Sequence, residues 1–102
     1  MDKKLSYINP NLMAILSTMG KQIKMARKRR KLTMELVCAR ASIARATLAA
    51  IEKGSPSVSI GCYAKVLHAL NGLDGDLLLL AKDDSSGRAM VDARLLKERS
   101  AR

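Results

Sequence analysis

The chain has 102 residues, long enough for one domain with a modest core. Tyr7 and Tyr63 are its only aromatics, so the core falls to Leu, Ile, Val, Met and Ala, a mix that favours helices over sheets. A formal net charge of +10 points to a polyanionic partner: nucleic acid, an anionic membrane surface or an acidic protein. Base stacking on aromatic platforms serves many single-strand and RNA binders, and two Tyr make a poor platform, which tilts the partner toward duplex DNA.

The start, MDKKLSYINP, has no continuous apolar stretch of signal-peptide type, and the longest apolar run, Leu77–Ala81, is far too short to span a bilayer. No membrane partner is expected. Cys38 and Cys62 sit in helical apolar patterns without CxxC spacing or nearby ligand pairs. They read as buried reduced thiols, and the expected location is cytoplasmic.

Asn9-Pro10 is a helix start, with Asn as N-cap and Pro in the first helical position. Leu12, Ile15, Leu16, Met19, Ile23 and Ala26 recur at helical spacing, which predicts a helix from Pro10 to about Arg30. Gly20 is a weak point within it, costing ~1 kcal/mol relative to Ala, and leaves a division into two segments open. The end of this helix is dense with cations: Lys21, Lys24, Arg27, Lys28, Arg29, Arg30 and Lys31. Part of that run suits the helix dipole, but its density exceeds what capping requires.

Thr33 is the next N-cap, with Leu36, Val37, Cys38 and Ala41 pointing inward. Ser42 fills a turn and Ile43 is its buried hydrophobe. The following helix runs from about Ala44 to Lys53, with Leu48 and Ile51 facing the core and Gly54 as its left-handed stop. Its surface is crowded with small residues and carries one long basic side chain, Arg45. A helix that enters the major groove needs such a slim surface with few side chains long enough to read bases.

Ser55-Pro56-Ser57 is a loop, and Ser59 caps a further helix to about Leu70. Its core candidates are Ile60, Tyr63, Ala64, Val66, Leu67 and Leu70. Asn71-Gly72 ends it. Gly75-Asp76 starts a short element, Leu77–Lys82, that periodicity leaves as a helix or a strand. Four successive leucines cannot all be buried in one small domain, so some are expected to face a second subunit. The tail DDSSGRAMVDARLLKERSAR opens polar and becomes weakly amphipathic at Met90, Val91, Leu95 and Leu96; it reads as mobile, ordered by a partner.

The pattern LTxELxxxAxIxxxTLxxIEKG, preceded by a basic helix and followed by a capped one, resembles the lambda-repressor-like (Cro or XRE) helix-turn-helix family over roughly Gly20 to Leu70. The stretch from Leu77 to Arg102 is similar to the C-terminal extension of HipB-like antitoxins, regulators encoded with HipA-like kinase toxins. The resemblance implies an all-α fold, a compact bundle of about five short helices containing a helix-turn-helix. It leaves 76–82 as a short strand or helix for dimerisation. The domain organisation expected is an N-terminal extension of helix 1 over 1–19, the DNA-binding domain over 20–82, and a flexible tail over 83–102.

Residue by residue, the resemblance implies that Arg27 pairs with Glu52, a structural link between helix 1 and the recognition helix. Arg45, Ala46, Ala49 and Ala50 take the base-facing positions, with Arg45 able to bond guanine O6 and N7 in bidentate fashion. Phosphate contacts fall to Lys21, Lys24, Lys28, Arg30, Thr33, Thr47, Lys53 and Ser55, with the backbone amides of Lys53, Gly54 and Ser55 included. Two positions depart from the family. Met34 stands where Gln usually bonds phosphate and braces a base reader. Ser42 stands where the turn usually has Gly, and Ala44 where Ser commonly caps, so Ser42 is left to cap the recognition helix in part.

His68 reads as a surface or half-buried residue without a ligand partner, and the six Met as gap fillers, with Met90 free to dock on a partner. Asp74, Asp76, Asp83 and Asp84 lack the spacing of a calcium loop. No catalytic-triad or phosphate-cradle signature is present, so neither an enzyme nor a cofactor is expected. The function implied is a dimeric, sequence-specific repressor of double-stranded DNA, autoregulating a HipBA-like toxin-antitoxin operon and bound by a HipA-like kinase. The alternative is a phage-type or stand-alone repressor without a toxin.

Overall fold

The computed structural model describes residues 8–82 and 84–100, without the side chains of 98–100. Residues 1–7 of the expected extension, Asp83 and residues 101–102 lie outside the described residues. The described chain is all helical, with no strand among those residues: α1 Pro10–Arg29, α2 Met34–Ala41, α3 Arg45–Glu52, α4 Ile60–Ala69, a 3-10 helix Leu73–Leu79, and α5 Ser85–Ser100.

Each start has a local cause. Asn9 caps α1 by accepting from the Asn11 amide at 2.7 Å, and Pro10 follows it in the first turn. Thr33 accepts from the Leu36 amide at 3.1 Å to start α2, and Ser59 accepts from the Cys62 amide at 3.2 Å to start α4. The ends of α1 and α3 share one geometry. Lys31 bonds back to Lys28 O and Leu32 to Arg27 O, while Gly54 bonds back to Ile51 O and Ser55 to Ala50 O. Both are Schellman closures around a left-handed residue, Lys31 at φ 55° and Gly54 at φ 76°.

α1 packs on α3, α2 on both α3 and α4, and the 3-10 helix on α4. Val37, Leu48, Ile51, Val66 and Leu70 are the largest fully buried side chains, joined in the core by Ile23, Ala26, Ala41, Tyr63 and Ala69. Two inward assignments fail, those of Leu36 and Ile60. Leu36 is 40% exposed because α2 meets its neighbours through Val37 and Ala41 instead. Ile60 is 68% exposed because it opens α4 at the rim, and Tyr63 is the first residue of that helix to reach the core. Leu12 and Ile15 lie on the part of α1 that runs beyond the core, whose first buried residue is Gly20. Ile43 and Cys38 are only partly buried against the core, and both cysteines are free thiols.

The segment after α4 also differs. The 3-10 helix begins at Leu73, after Gly72 at φ 90°, and not at Gly75-Asp76; 76–82 contains no strand. Leu77 is half-buried, whereas Leu78, Leu79 and Leu80 are exposed. The segment read as a mobile tail is helical as α5, rich in good helix formers and started by Asp84, whose carboxylate accepts from the Gly87 amide at 3.1 Å. α5 contributes nothing to the buried core.

Gly20 does not divide α1, which is continuous. A Cβ built there would lie 2.4 Å from the Gly54 nitrogen and 2.8 Å from the carbonyl oxygens of Ile51 and Glu52. A Cβ on Gly54 would fall 2.0 Å from the Leu16 oxygen. The two glycines therefore let the backbone of α1 touch the end of α3. Helix propensity alone makes Gly20→Ala stabilising by ~1 kcal/mol. The close approach reverses that sign: the variant should lose about 1–3 kcal/mol in urea unfolding, as for an overpacked core.

Tyr63 ties α4 to the loop after α3 by donating its hydroxyl to Ser55 O at 2.6 Å. Burial raises its pKa above the ordinary value of 10.0. A phenol held protonated in the folded state contributes stability that is complete below pH 10 and is lost as pH rises through the raised value. Thermal melts of the chain and of Tyr63→Phe should therefore differ most near neutral pH, by about 1 kcal/mol, and that difference should shrink as pH rises through the raised value.

Candidate nucleic-acid interface

α3 is held by one buried ion pair and one backbone contact. Arg27 Nε donates to Glu52 Oε2 at 2.7 Å and Nη2 donates to Oε1 at 3.2 Å, with side chains only 10% and 7% exposed. The third arm, Nη1, donates to Leu32 O at 3.0 Å. One guanidinium thus joins α1, the end of α3 and the link into α2. A paired and fully bonded charge is tolerable in the interior, whereas either partner alone would be costly. The two groups are committed to each other, and Arg27 also to the backbone.

The outer side of α3 is slim. Arg45 and Ala46 are exposed, while Thr47, Ala49 and Ala50 are half-buried. α3 starts without a side-chain cap: Ala44 supplies none, and Ser42 does not cap it in compensation. Ser42 instead closes α2, in the left-handed conformation at φ 54°. That conformation costs a non-glycine residue roughly 1–2 kcal/mol, which is why the family usually has Gly there.

Arg45 is not alone. Its Nη1 donates to Glu35 Oε1 at 3.4 Å, across from the first turn of α2. Sequence reasoning missed Glu35 because it placed the brace at position 34, and Met34 is half-buried against the core. The available signal was a pair of opposite charges in the first turns of two helices that a tight turn brings side by side.

Lys24, Lys28 and Lys53 come together at a groove between α1 and α3, over the Arg27–Glu52 pair and beside Met34 and Ala49. Three exposed ammonium groups beside the slim helix form a local positive field of the kind a phosphate backbone meets. Lys21 is exposed one turn before Lys24. Arg30 is committed in part, since Nη1 donates to Ala26 O at 3.0 Å and caps its own helix. The Thr33 oxygen caps α2, and Thr33 itself is exposed.

The loop after α3 departs from the expected phosphate cradle. The amides of Lys53, Gly54 and Ser55 all donate to carbonyls of α3, and Gly54 is buried against α1. The Schellman closure consumes these donors, so this loop offers side chains and not backbone amides. The Ser55 hydroxyl is hydrogen-bonded to that of Ser57 at 2.8 Å. His68 also has a partner that its sequence context did not suggest: Nδ1 lies 3.1 Å from Asp74 Oδ2, an exposed contact between α4 and the 3-10 helix.

No helix among the described residues is long and apolar enough to cross a membrane. No curated protein matches the chain. A family model described as helix-turn-helix matches residues 23–78, which takes in the last third of α1, α2, the turn, α3, α4 and most of the 3-10 helix. That span holds Arg27, Glu52 and the whole of the slim helix. The chain belongs to the lambda-repressor-like (XRE) helix-turn-helix family of DNA-binding transcriptional regulators.

Proposed function

We propose that the protein is a homodimeric, sequence-specific repressor that places α3 in the major groove, represses its own operon and neutralises a HipA-like kinase encoded with it. The observation that carries the DNA-binding part is the pairing of a slim α3, with one long reader at its start, with the lysine-lined groove on α1. Arg45 reads guanine, and Ala46, Ala49 and Ala50 permit close approach to base edges. Lys21, Lys24, Lys28 and Lys53 neutralise phosphates, with Arg30, Thr33, Thr47 and Ser55 at the margin of the contact. Two copies meet half-sites about one helical turn apart. Exposed Leu78, Leu79 and Leu80 support self-association, because adjacent exposed leucines are unfavourable on a monomer.

The antitoxin part rests on the likeness of the C-terminal segment to HipB-like proteins. It is supported by α5, which lies outside the core and exposes Met90, Val91 and Leu95. The 1–19, 20–82 and 83–102 division is part of the same proposal: an extension, a DNA-binding unit and a partner-binding segment.

Selection from a random duplex pool tests the DNA reading, with enrichment of a two-fold symmetric site as the expected result. Against that site Arg45→Ala should cost ~1–3 kcal/mol and relax the preference at one position, while Lys28→Ala should weaken selected and scrambled duplexes alike and lower the salt slope by about 1. Co-expression with the kinase tests the antitoxin reading. The full chain should co-purify with it, and a chain ending at Asp84 should not, while still binding DNA.

A further inference from the structure

Glu35 and Arg45 raise a question that the family assignment does not answer. Arg45 is the first residue of α3, and a cation in the first turn opposes the helix dipole. α3 also lacks a side-chain cap to offset it. Glu35, in the first turn of α2, reaches across the turn and accepts from Arg45 Nη1 at 3.4 Å. The side chains of Arg45 and Glu35 are 67% and 80% exposed, so the pair is screened by solvent and adds little to folding. A weak exposed pair at that place has its consequences on the helix surface and not in the core.

We infer that Glu35 is a positioning residue that sets DNA specificity through Arg45; this rests on the base-reading role proposed for Arg45. Two effects combine. The carboxylate engages Nη1, so the Nε–Nη2 edge of the guanidinium remains to present two parallel donors, the fork that guanine O6 and N7 accept. Holding the side chain there removes part of the rotamer entropy that ordering a free Arg on DNA would cost. In addition, Glu35 brings an exposed negative charge to the start of α2, next in sequence to Met34, which lines the groove of Lys24, Lys28 and Lys53. Close to phosphates that charge opposes binding wherever the Arg45–guanine contact does not compensate. Random sequence is therefore penalised more than the selected site, which is discrimination by a repulsive element. Met34 leaves the usual brace vacant, and the carboxylate of its neighbour Glu35 takes that part in place of an amide.

The experiment measures the affinity of the full chain for the selected duplex and for a scrambled duplex of equal length, across a salt series, for the unaltered protein, Glu35→Gln, Glu35→Asp, Arg45→Ala and Arg45→Ala/Glu35→Gln. Glu35→Gln should bind scrambled DNA more tightly and the selected site no better, so that the ratio of the two falls by about 3–5-fold, the scale of one exposed pair. Glu35→Asp, which keeps the charge, should preserve the penalty on scrambled DNA. In the Arg45→Ala background Glu35→Gln should leave the ratio unchanged. An equal gain on both duplexes would reduce Glu35 to a general charge effect and overturn the inference. An unchanged ratio accompanied by a lower melting temperature would make Glu35 a helix-dipole residue alone and overturn the inference equally. If the unaltered protein discriminates and Glu35→Gln discriminates by the same ratio, only this inference falls. If the unaltered protein does not discriminate at all, the sequence-specific reading falls and this one with it.

Discussion

The fold depends on a backbone contact at Gly20 and Gly54. α1 crosses the end of α3 so closely that neither residue has room for a Cβ. A contact of this kind is a geometric constraint before it is an energetic one: it sets how far apart two helix axes sit. With that distance set, Arg27 reaches Glu52 with two donors and Leu32 O with the third. The same approach lets Gly54 take its left-handed turn against Leu16 and close α3. α3 is thus held at its C-terminal end by packing and by a desolvated ion pair. At its N-terminal end it has no side-chain cap.

That asymmetry bears on the proposed function. α3 carries Arg45 at its uncapped end, where an exposed carboxylate and not burial engages it. Lys24 and Lys28 on α1 meet Lys53 beside the anchored end. Under the proposed function reading and holding would therefore be separated in space: the lysines would supply charge for phosphate, and the start of α3 discrimination.

Periodicity was most reliable where both sides of a helix met neighbours. α3 followed its pattern, with Leu48 and Ile51 fully buried, and so did Val37, Val66 and Leu70. It misplaced Leu36 and Ile60 for one shared reason. A helical repeat shows which face is apolar but not where the neighbouring helix stops, so residues at a rim or beyond the core look the same as residues inside it. The leucine run after Asp76 could not be resolved at all from so short a pattern, and it became a 3-10 helix with its last three leucines outside. The candidate interface was legible in the same uneven way. Spacing and likeness put Arg45 at the start of α3, the alanines along it and the lysines near it, and the structure has Arg45 and Ala46 exposed and Lys24, Lys28 and Lys53 at one groove. The commitment of the Lys53–Ser55 amides to the Schellman closure did not, because a loop that touches phosphate and a loop that closes a helix can share one sequence.

By itself the sequence determined the helical class, the caps at Asn9, Thr33 and Ser59, the stop at Gly54 and the place of the helix-turn-helix. These are local matters: a cap needs only a side chain two or three residues from an amide, and a stop needs only a residue that tolerates positive φ. Tertiary structure alone decided what Gly20 is for, which apolar residues reach the core, and that Glu35 stands beside Arg45. Each of these depends on distances between segments far apart in the chain, and such distances are set only when the helices pack.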